Sequence, residues 1–316
     1  MAGERKVLIT GASGFIGKEL CRALVEGGYQ VTAVVRSAQN LPVAGVHYIV
    51  QDLEKSFDGS SLTEGMDTIV HLAGKAHGKR GSSEQGPEAF ERGNVIPTRR
   101  LADAAVAGGV HHFIYLSSIG VHGDSTQDDP ITETSAARPH ADYARSKLRA
   151  EEVLKDSVSG TQTTFSIIRP TLVYGCSAPG NFGKLVSVCR SVVPLPFGRA
   201  ENRRSLVSLG SLVHLIILCI ERSEAENQVF VAADERPVST AEIVRCLRSG
   251  MGLKPALVPV PATWLRVGFR LIGKQSLYQQ LFGDLEVDAT KAAKLLGWKR
   301  ETGTSELLHL IGEKAV

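Results

Sequence analysis

Hydrophobic positions along the chain switch period in a repeating order. Val7-Leu-Ile9 is a continuous apolar run that breaks into glycines at positions 11, 14 and 17, after which apolar residues return at helical spacing. This predicts a strand, a tight turn and a helix. Val31-Thr-Ala-Val-Val35 is a second strand rich in β-branched residues, reached through Glu26-Gly-Gly-Tyr29. Further strands are expected over Val46–Val50, Asp67–Gly74 and His112–Leu116, with a helix from Phe90 to Ala107 between the last two. Another helix opens at Tyr143 and runs through Ala150, Val153 and Leu154. Strands alternating with helices define the α/β class. The most apolar run, Leu212–Ile220, contains His214 and is far short of the roughly 20 residues of a membrane span, so it reads as a buried helix.

At 316 residues, 43% of them hydrophobic, the chain has room for one large α/β domain and an appended lobe. A net charge of +3 with scattered Lys and Arg gives no nucleic-acid surface. Five cysteines form no C-x-x-C pair, which fits free thiols in a reducing compartment. Met1 is followed closely by Glu4-Arg5-Lys6 and the first strand, with no signal-peptide pattern, so a cytoplasmic location is expected.

The chemistry begins at the glycines. Gly11 permits the sharp turn, Gly14 lets a pyrophosphate approach the backbone, and Gly17 lets the helix lie close to the sheet. The helix N-terminus then faces the anion, and a dinucleotide is the expected occupant. The second strand ends at Val35-Arg36-Ser37, without the acid that bonds a ribose hydroxyl, so Arg36 favours NADP(H) over NAD(H). Asp52, after the third strand, either touches the adenine amino group or caps the next helix. The loop Lys75–Pro87 follows the fourth strand on the side where open α/β sheets bind ligands. His71 reads as a satisfied buried histidine, and no metal-ligand spacing occurs. Ser117 and Ser118 end the fifth strand. Tyr143 and Lys147 sit at i and i+4 on one helical face, so the ammonium is expected to lower the tyrosine's pKa and give an acid/base usable near neutrality.

Six segments in this order resemble the extended short-chain dehydrogenase/reductases, the NAD-dependent epimerase/dehydratase family. They are Thr10–Gly17, His71–Gly74, Asn94 with Thr98, Leu116–Gly123, Tyr143–Lys147 and Arg169–Gly175. The resemblance implies a Rossmann-type doubly wound parallel sheet over residues 1–175. A smaller C-terminal α/β substrate lobe would occupy mainly 176–316, with later segments able to return to the sheet. It implies a catalytic triad of Ser118, Tyr143 and Lys147. The implied cofactor set is Gly11, Ser13, Gly14, Phe15, Ile16, Gly17, Arg36, Asp52, Leu53, Leu72, Ala73, Gly74, Tyr143, Lys147, Arg169 and Pro170. His122 and Leu172 depart from the family's usual Tyr and Asn. Asn181 in Gly180–Gly183, and Arg204 in Glu201–Val207, resemble segments that contact a nucleotide-sugar diphosphate, for which an Arg fork is well shaped. Leu281 stands where a further Arg is common.

The pattern looks closest to bacterial enzymes of lipopolysaccharide and O-antigen sugar synthesis. The first expectation is therefore C4-keto reduction of a UDP-4-keto-6-deoxy-N-acetylhexosamine, of quinovosamine or fucosamine type. The alternative is a UDP-hexose 4-epimerase (UDP-glucose or UDP-N-acetylglucosamine) that retains NAD, and a non-catalytic Rossmann redox sensor is a third. Family members often pair through the Tyr-x-x-x-Lys helix, so a homodimer is expected by analogy.

Overall fold

The computed structural model describes residues 5–38, 43–76, 86–126, 129–191, 193–271 and 273–315. Seven strands form one parallel sheet: β1 (Lys6–Thr10), β2 (Gln30–Val35), β3 (His47–Val50), β4 (Thr68–His71), β5 (His112–Leu116), β6 (Thr164–Pro170) and, after two strands outside the sheet, β9 (Gln228–Ala232). Their spatial order is β3-β2-β1-β4-β5-β6-β9. The chain winds outward from β1 in one direction and restarts at β4 in the other, so a crevice opens between the carboxyl ends of β1 and β4. The remaining strands, β7 (Leu172–Tyr174) and β8 (Leu206–Ser208), pair in parallel as a separate two-stranded sheet.

Alternation along each strand fills two cores. Val7, Ile9, Val31, Ala33, Val70 and Ile114 pack on one face with the helices Phe15–Glu26 and Leu209–Glu221, which contribute Leu20, Leu24, Leu212 and Ile216. The apolar run singled out in the sequence is thus a sheet-covering helix. Leu8, Ile69, Phe113, Tyr115 and Ile167 pack on the opposite face with Leu101 and Ala105 of the helix Ile96–Ala107 and with Ala150 and Leu154 of Asp142–Val158. A third cluster, including Tyr174, Phe182, Phe197, Leu206, Val244, Leu247 and Leu308, forms a separate core.

The helix expected over 90–107 is divided. Residues Pro87–Phe90 form one α-helical turn, Glu91–Val95 a π-turn, and Ile96–Ala107 the long helix. Pro97 has no N–H to return to the Gly93 carbonyl, so the ladder widens just before it. The widened turn carries Asn94, which the site uses. The loop expected to face the ligand over 75–87 lies largely outside the described residues.

Candidate active site

A cleft of about 580 Å³ runs along the carboxyl ends of the strands at the β1/β4 switch. Its floor is Gly11, Ser13 and Gly14, one end is Arg36, Asp52 and Leu53, and the far wall is Leu72, Ala73 and Gly74. Gly11 has φ +72°, and a Cβ there would lie 2.7 Å from the Ala73 nitrogen. A side chain at Gly17 would press to 2.3 Å from the Gly11 oxygen. The turn therefore closes tightly, with Gly14 N–H donating to Gly11 O at 3.0 Å. Gly14 caps the helix Phe15–Glu26 without any side-chain hydrogen bond, which leaves first-turn N–H donors for an anion. This glycine cradle beside an uncapped helix end fits the pyrophosphate of a nicotinamide dinucleotide.

Phe15, Ile16 and Gly17 do not line the cleft. Phe15 packs instead with the third cluster, and Gly17 acts through its missing side chain. Asp52 both lines the cleft and accepts from the Glu54 N–H at 3.1 Å, so it organises its own turn. Gln51, Glu54, Gly93 and Pro97 join the lining, as does Lys75 at the start of the loop expected to face the ligand. Of these, Gln51 directly follows the end of β3 and so carried a signal in the sequence.

The second end of the site is built on the helix Asp142–Val158. Ser118 Oγ accepts from the Gly120 N–H at 3.1 Å, which starts a short 3₁₀ turn, Ile119–His122. The same hydroxyl lies close enough to the Tyr143 phenol to lower its pKa. Lys147 is 4% exposed; its Nζ donates to Leu116 O at 2.8 Å and lies 4.6 Å from the centroid of the Tyr115 ring. A Cβ added to Gly74 would be 3.2 Å from that nitrogen, so the lysine abuts the dinucleotide cleft. The triad expected from the sequence is thereby brought together beside the cofactor crevice.

The electrostatics differ from the sequence expectation. Tyr143 is not pulled down by Lys147: burial pushes it up to about 12, against a lowering by the neighbouring Ser118 hydroxyl. The ammonium is engaged with a carbonyl and an aromatic face rather than with the phenol. Burial also lowers Lys147 to about 8, opposed by the Glu151 carboxylate.

Asn94 ties the two halves together. Its Oδ1 accepts from Lys75 N–H at 2.6 Å, and its Nδ2 donates to Lys75 O at 3.1 Å and to Ser146 Oγ at 2.8 Å, on the helix of the triad. His71 is a spacer below it. Thr10 Oγ1, which accepts from Ala73 N–H at 3.2 Å, lies 2.6 Å from His71 Nδ1; Thr98 Oγ1, which donates to Asn94 O at 2.6 Å, lies 3.1 Å from Nε2. Thr10, already accepting from Ala73 N–H, donates to Nδ1, while Thr98, whose proton goes to Asn94 O, accepts from Nε2–H. Burial lowers the imidazole to about 3, so it stays neutral.

Arg169 and Pro170 were expected at the cofactor, but neither lines the cleft. The Arg169 guanidinium is buried against Glu151, with Nε 3.0 Å from Oε1 and a second bond of 2.5 Å to Oε2, and its third nitrogen lies 2.9 Å from His122 Nε2. Ser117 adds a 2.5 Å hydrogen bond to the same carboxylate. Its pairing with Glu151 and His122 holds the guanidinium inside the protein.

Asn181 Nδ2 donates to Gln280 Oε1 at 3.0 Å, and Arg204 donates from NH1 to Gly283 O at 2.9 Å. Asn181 is the second residue of the helix Gly180–Cys189 and does not cap it, since Pro179 holds the cap position. Both candidate substrate residues thus meet the segment 279–283.

A sequence profile described as the NAD dependent epimerase/dehydratase family matches residues 7–233. A Vibrio cholerae protein named UDP-glucose 4-epimerase is 36% identical over 304 residues, covering 94% of this chain and 92% of the relative. Among solved structures, MoeE5 in complex with UDP-glucuronic acid and NAD superposes with a TM-score of 0.79 at 26% identity, covering 98% of each chain. The UDP-glucose 4-epimerase of Thermotoga maritima, at 22% identity and TM-score 0.79 over 98% of each chain, shares the fold. The chain belongs to the NAD-dependent epimerase/dehydratase family of extended short-chain dehydrogenase/reductases.

Proposed function

We propose that the protein is a 4-epimerase of a UDP-hexose or UDP-N-acetylhexosamine that works with a retained nicotinamide dinucleotide. The observation that carries this reading is Lys147 set against the cleft at Gly74, on the same helix as Tyr143, whose phenol lies beside the Ser118 hydroxyl. The Vibrio cholerae relative's name and the UDP-sugar and NAD in the MoeE5 complex support the choice of substrate and cofactor.

The dinucleotide, when bound, supplies hydride exchange and, oxidised, a positive charge that favours a phenolate. The chain's own groups handle the proton. Tyr143 moves it between its hydroxyl and the sugar's O4, once in each direction over an epimerisation cycle. Ser118, fixed by the Gly120 N–H, orients that oxygen. Lys147 keeps a buried positive charge at the cleft wall and would hold the nicotinamide ribose. Asn181 and Arg204 would grip the substrate diphosphate, with Arg204 turning from its carbonyl partners.

C4-keto reduction of a UDP-4-keto-6-deoxy-N-acetylhexosamine, in O-antigen synthesis, is the second reading. The observation favouring it is Arg36 at the adenosine end of the cleft, beside a strand that ends without an acid, a setting suited to a 2′-phosphate. The two readings separate on denaturing freshly purified protein and identifying what it releases. Near-stoichiometric NAD supports the epimerase. A protein that releases no dinucleotide, and consumes NADPH in step with the 4-keto sugar, overturns it in favour of the reductase. The homodimer expected from the triad helix is tested by light scattering.

A further inference from the structure

The helix Ala262–Leu271 has two unlike apolar faces. Leu265 and Phe269 turn inward; Phe269 meets the rings of Tyr278 and Phe282, at centroid distances of 6.0 and 6.4 Å, on the following helix Gln275–Phe282. The other face carries Trp264, Val267 and Leu271 at i, i+3 and i+7, which are 74%, 57% and 82% exposed. A large aromatic and two aliphatics standing in water at helical spacing form a continuous stripe and not a scatter of single residues.

The charge around this stripe is one-sided. Arg266, Arg270 and Lys274 are exposed at successive four-residue steps beside it. From Ile243 to Gly283 the chain has six Lys and Arg and no Asp or Glu, in a protein whose total is only +3. The rest of the chain is therefore net acidic; within the segment Arg248 is buried, and the exposed cations beside the Trp are Arg266, Arg270 and Lys274. An apolar stripe with a Trp, flanked by cations, has the composition of a helix that lies in a bilayer interface. No helix among the described residues is long and apolar enough to cross a membrane, so such contact would be peripheral.

We propose that the helix Ala262–Leu271 docks the protein on an anionic phospholipid surface, with Trp264, Val267 and Leu271 entering the interface and Arg266, Arg270 and Lys274 meeting the headgroup phosphates. A second protein copy would satisfy the apolar stripe but would set each basic flank beside another of the same sign. The anionic bilayer complements both features. The adjoining helix Gln275–Phe282 holds Asn181 through Gln280, so the docked face adjoins the candidate substrate residues.

The test is sedimentation of the intact protein with vesicles of phosphatidylglycerol and phosphatidylethanolamine, against vesicles of phosphatidylcholine. Binding is expected to be at least tenfold stronger on the anionic vesicles and to fade with added salt. Tryptophan emission reports insertion directly, because the other tryptophan, Trp298, is 3% exposed and donates to Ser211 O at 2.8 Å. A blue shift on anionic vesicles is expected in the wild type. The double variant Arg266→Glu, Arg270→Glu should lose the anionic preference while keeping turnover of a soluble UDP-sugar. Equal binding to both vesicle types would overturn the proposal. So would a blue shift that rises with protein concentration in the absence of lipid, which would assign the stripe to a second copy.

Discussion

The Lys147 ammonium donates to the main-chain oxygen of Leu116 at 2.8 Å and does not bond the Tyr143 phenol, which lies beside the Ser118 hydroxyl. The tyrosine, held up at about 12, is protonated at neutral pH in the protein without cofactor, and the lysine, lowered to about 8, loses its charge within reach of ordinary assay conditions. An alkaline fall in kcat/KM centred near pH 8 is expected as Lys147 deprotonates. Lys147→Arg should retain weak activity without that fall, since a guanidinium stays charged. Tyr143→Phe should lose about a hundred- to ten-thousandfold in kcat, the span of a single acid/base group. Turnover by Tyr143→Phe at the wild-type rate would remove the tyrosine from the chemistry.

Gly11 sets the floor of the dinucleotide cleft. Gly11→Ala places a Cβ 2.7 Å from the Ala73 nitrogen on a backbone with φ +72°, so neither the conformation nor the space suits it. The variant is expected to purify without nicotinamide and to show a dinucleotide Kd raised at least tenfold by titration calorimetry.

The Arg169–Glu151 pair is buried on both sides, at 8% and 1% side-chain exposure. Arg169→Met leaves the carboxylate without its cation and should cost about 3–5 kcal/mol in chemical denaturation. The double variant with Glu151→Leu should recover much of that loss, because the desolvation of the charge is removed with its partner.

Asp234 gives the protein a stability term that falls with pH. Its Oδ2 accepts from Ser208 N–H at 3.0 Å, while burial raises the carboxyl to about 6. The native state then holds a proton that the unfolded chain has released, so the stabilisation is complete below about pH 4 and is lost as pH rises through about 6. His71 and His112 act oppositely. Burial lowers them to about 3 and about 4, so their stability is present above about pH 6.5 and lost as pH falls. Asp234→Asn isolates the first effect. Relative to wild type it should gain up to about 3 kcal/mol at pH 8 and nothing at pH 4, measured by urea denaturation at both.

The strand–turn–helix at the glycines and the Tyr143/Lys147 face were legible because each is local: spacing alone sets which groups share a face. The β1/β4 switch and the return of β9 to the sheet edge depend on pairings between distant segments. The Arg169–Glu151 pair is hidden from the sequence for the same reason. Its members lie 18 residues apart, and only the packing of β6 beside the triad helix brings them together. Pro97 marked the site of the π-turn, but the two bonds from Asn94 to Lys75 become visible only once β4 is in place. The tyrosine's raised pKa follows from burial depth, which a helical spacing does not report.

The most direct test of the central claim is to supply the protein with a single UDP-hexose or UDP-N-acetylhexosamine and resolve the products while following nicotinamide absorbance. Epimerase function predicts that gluco and galacto forms approach equilibrium from either side, with no net gain or loss of reduced nicotinamide. No interconversion of any UDP-sugar, with NADPH consumed one-for-one by a 4-keto sugar, would contradict it.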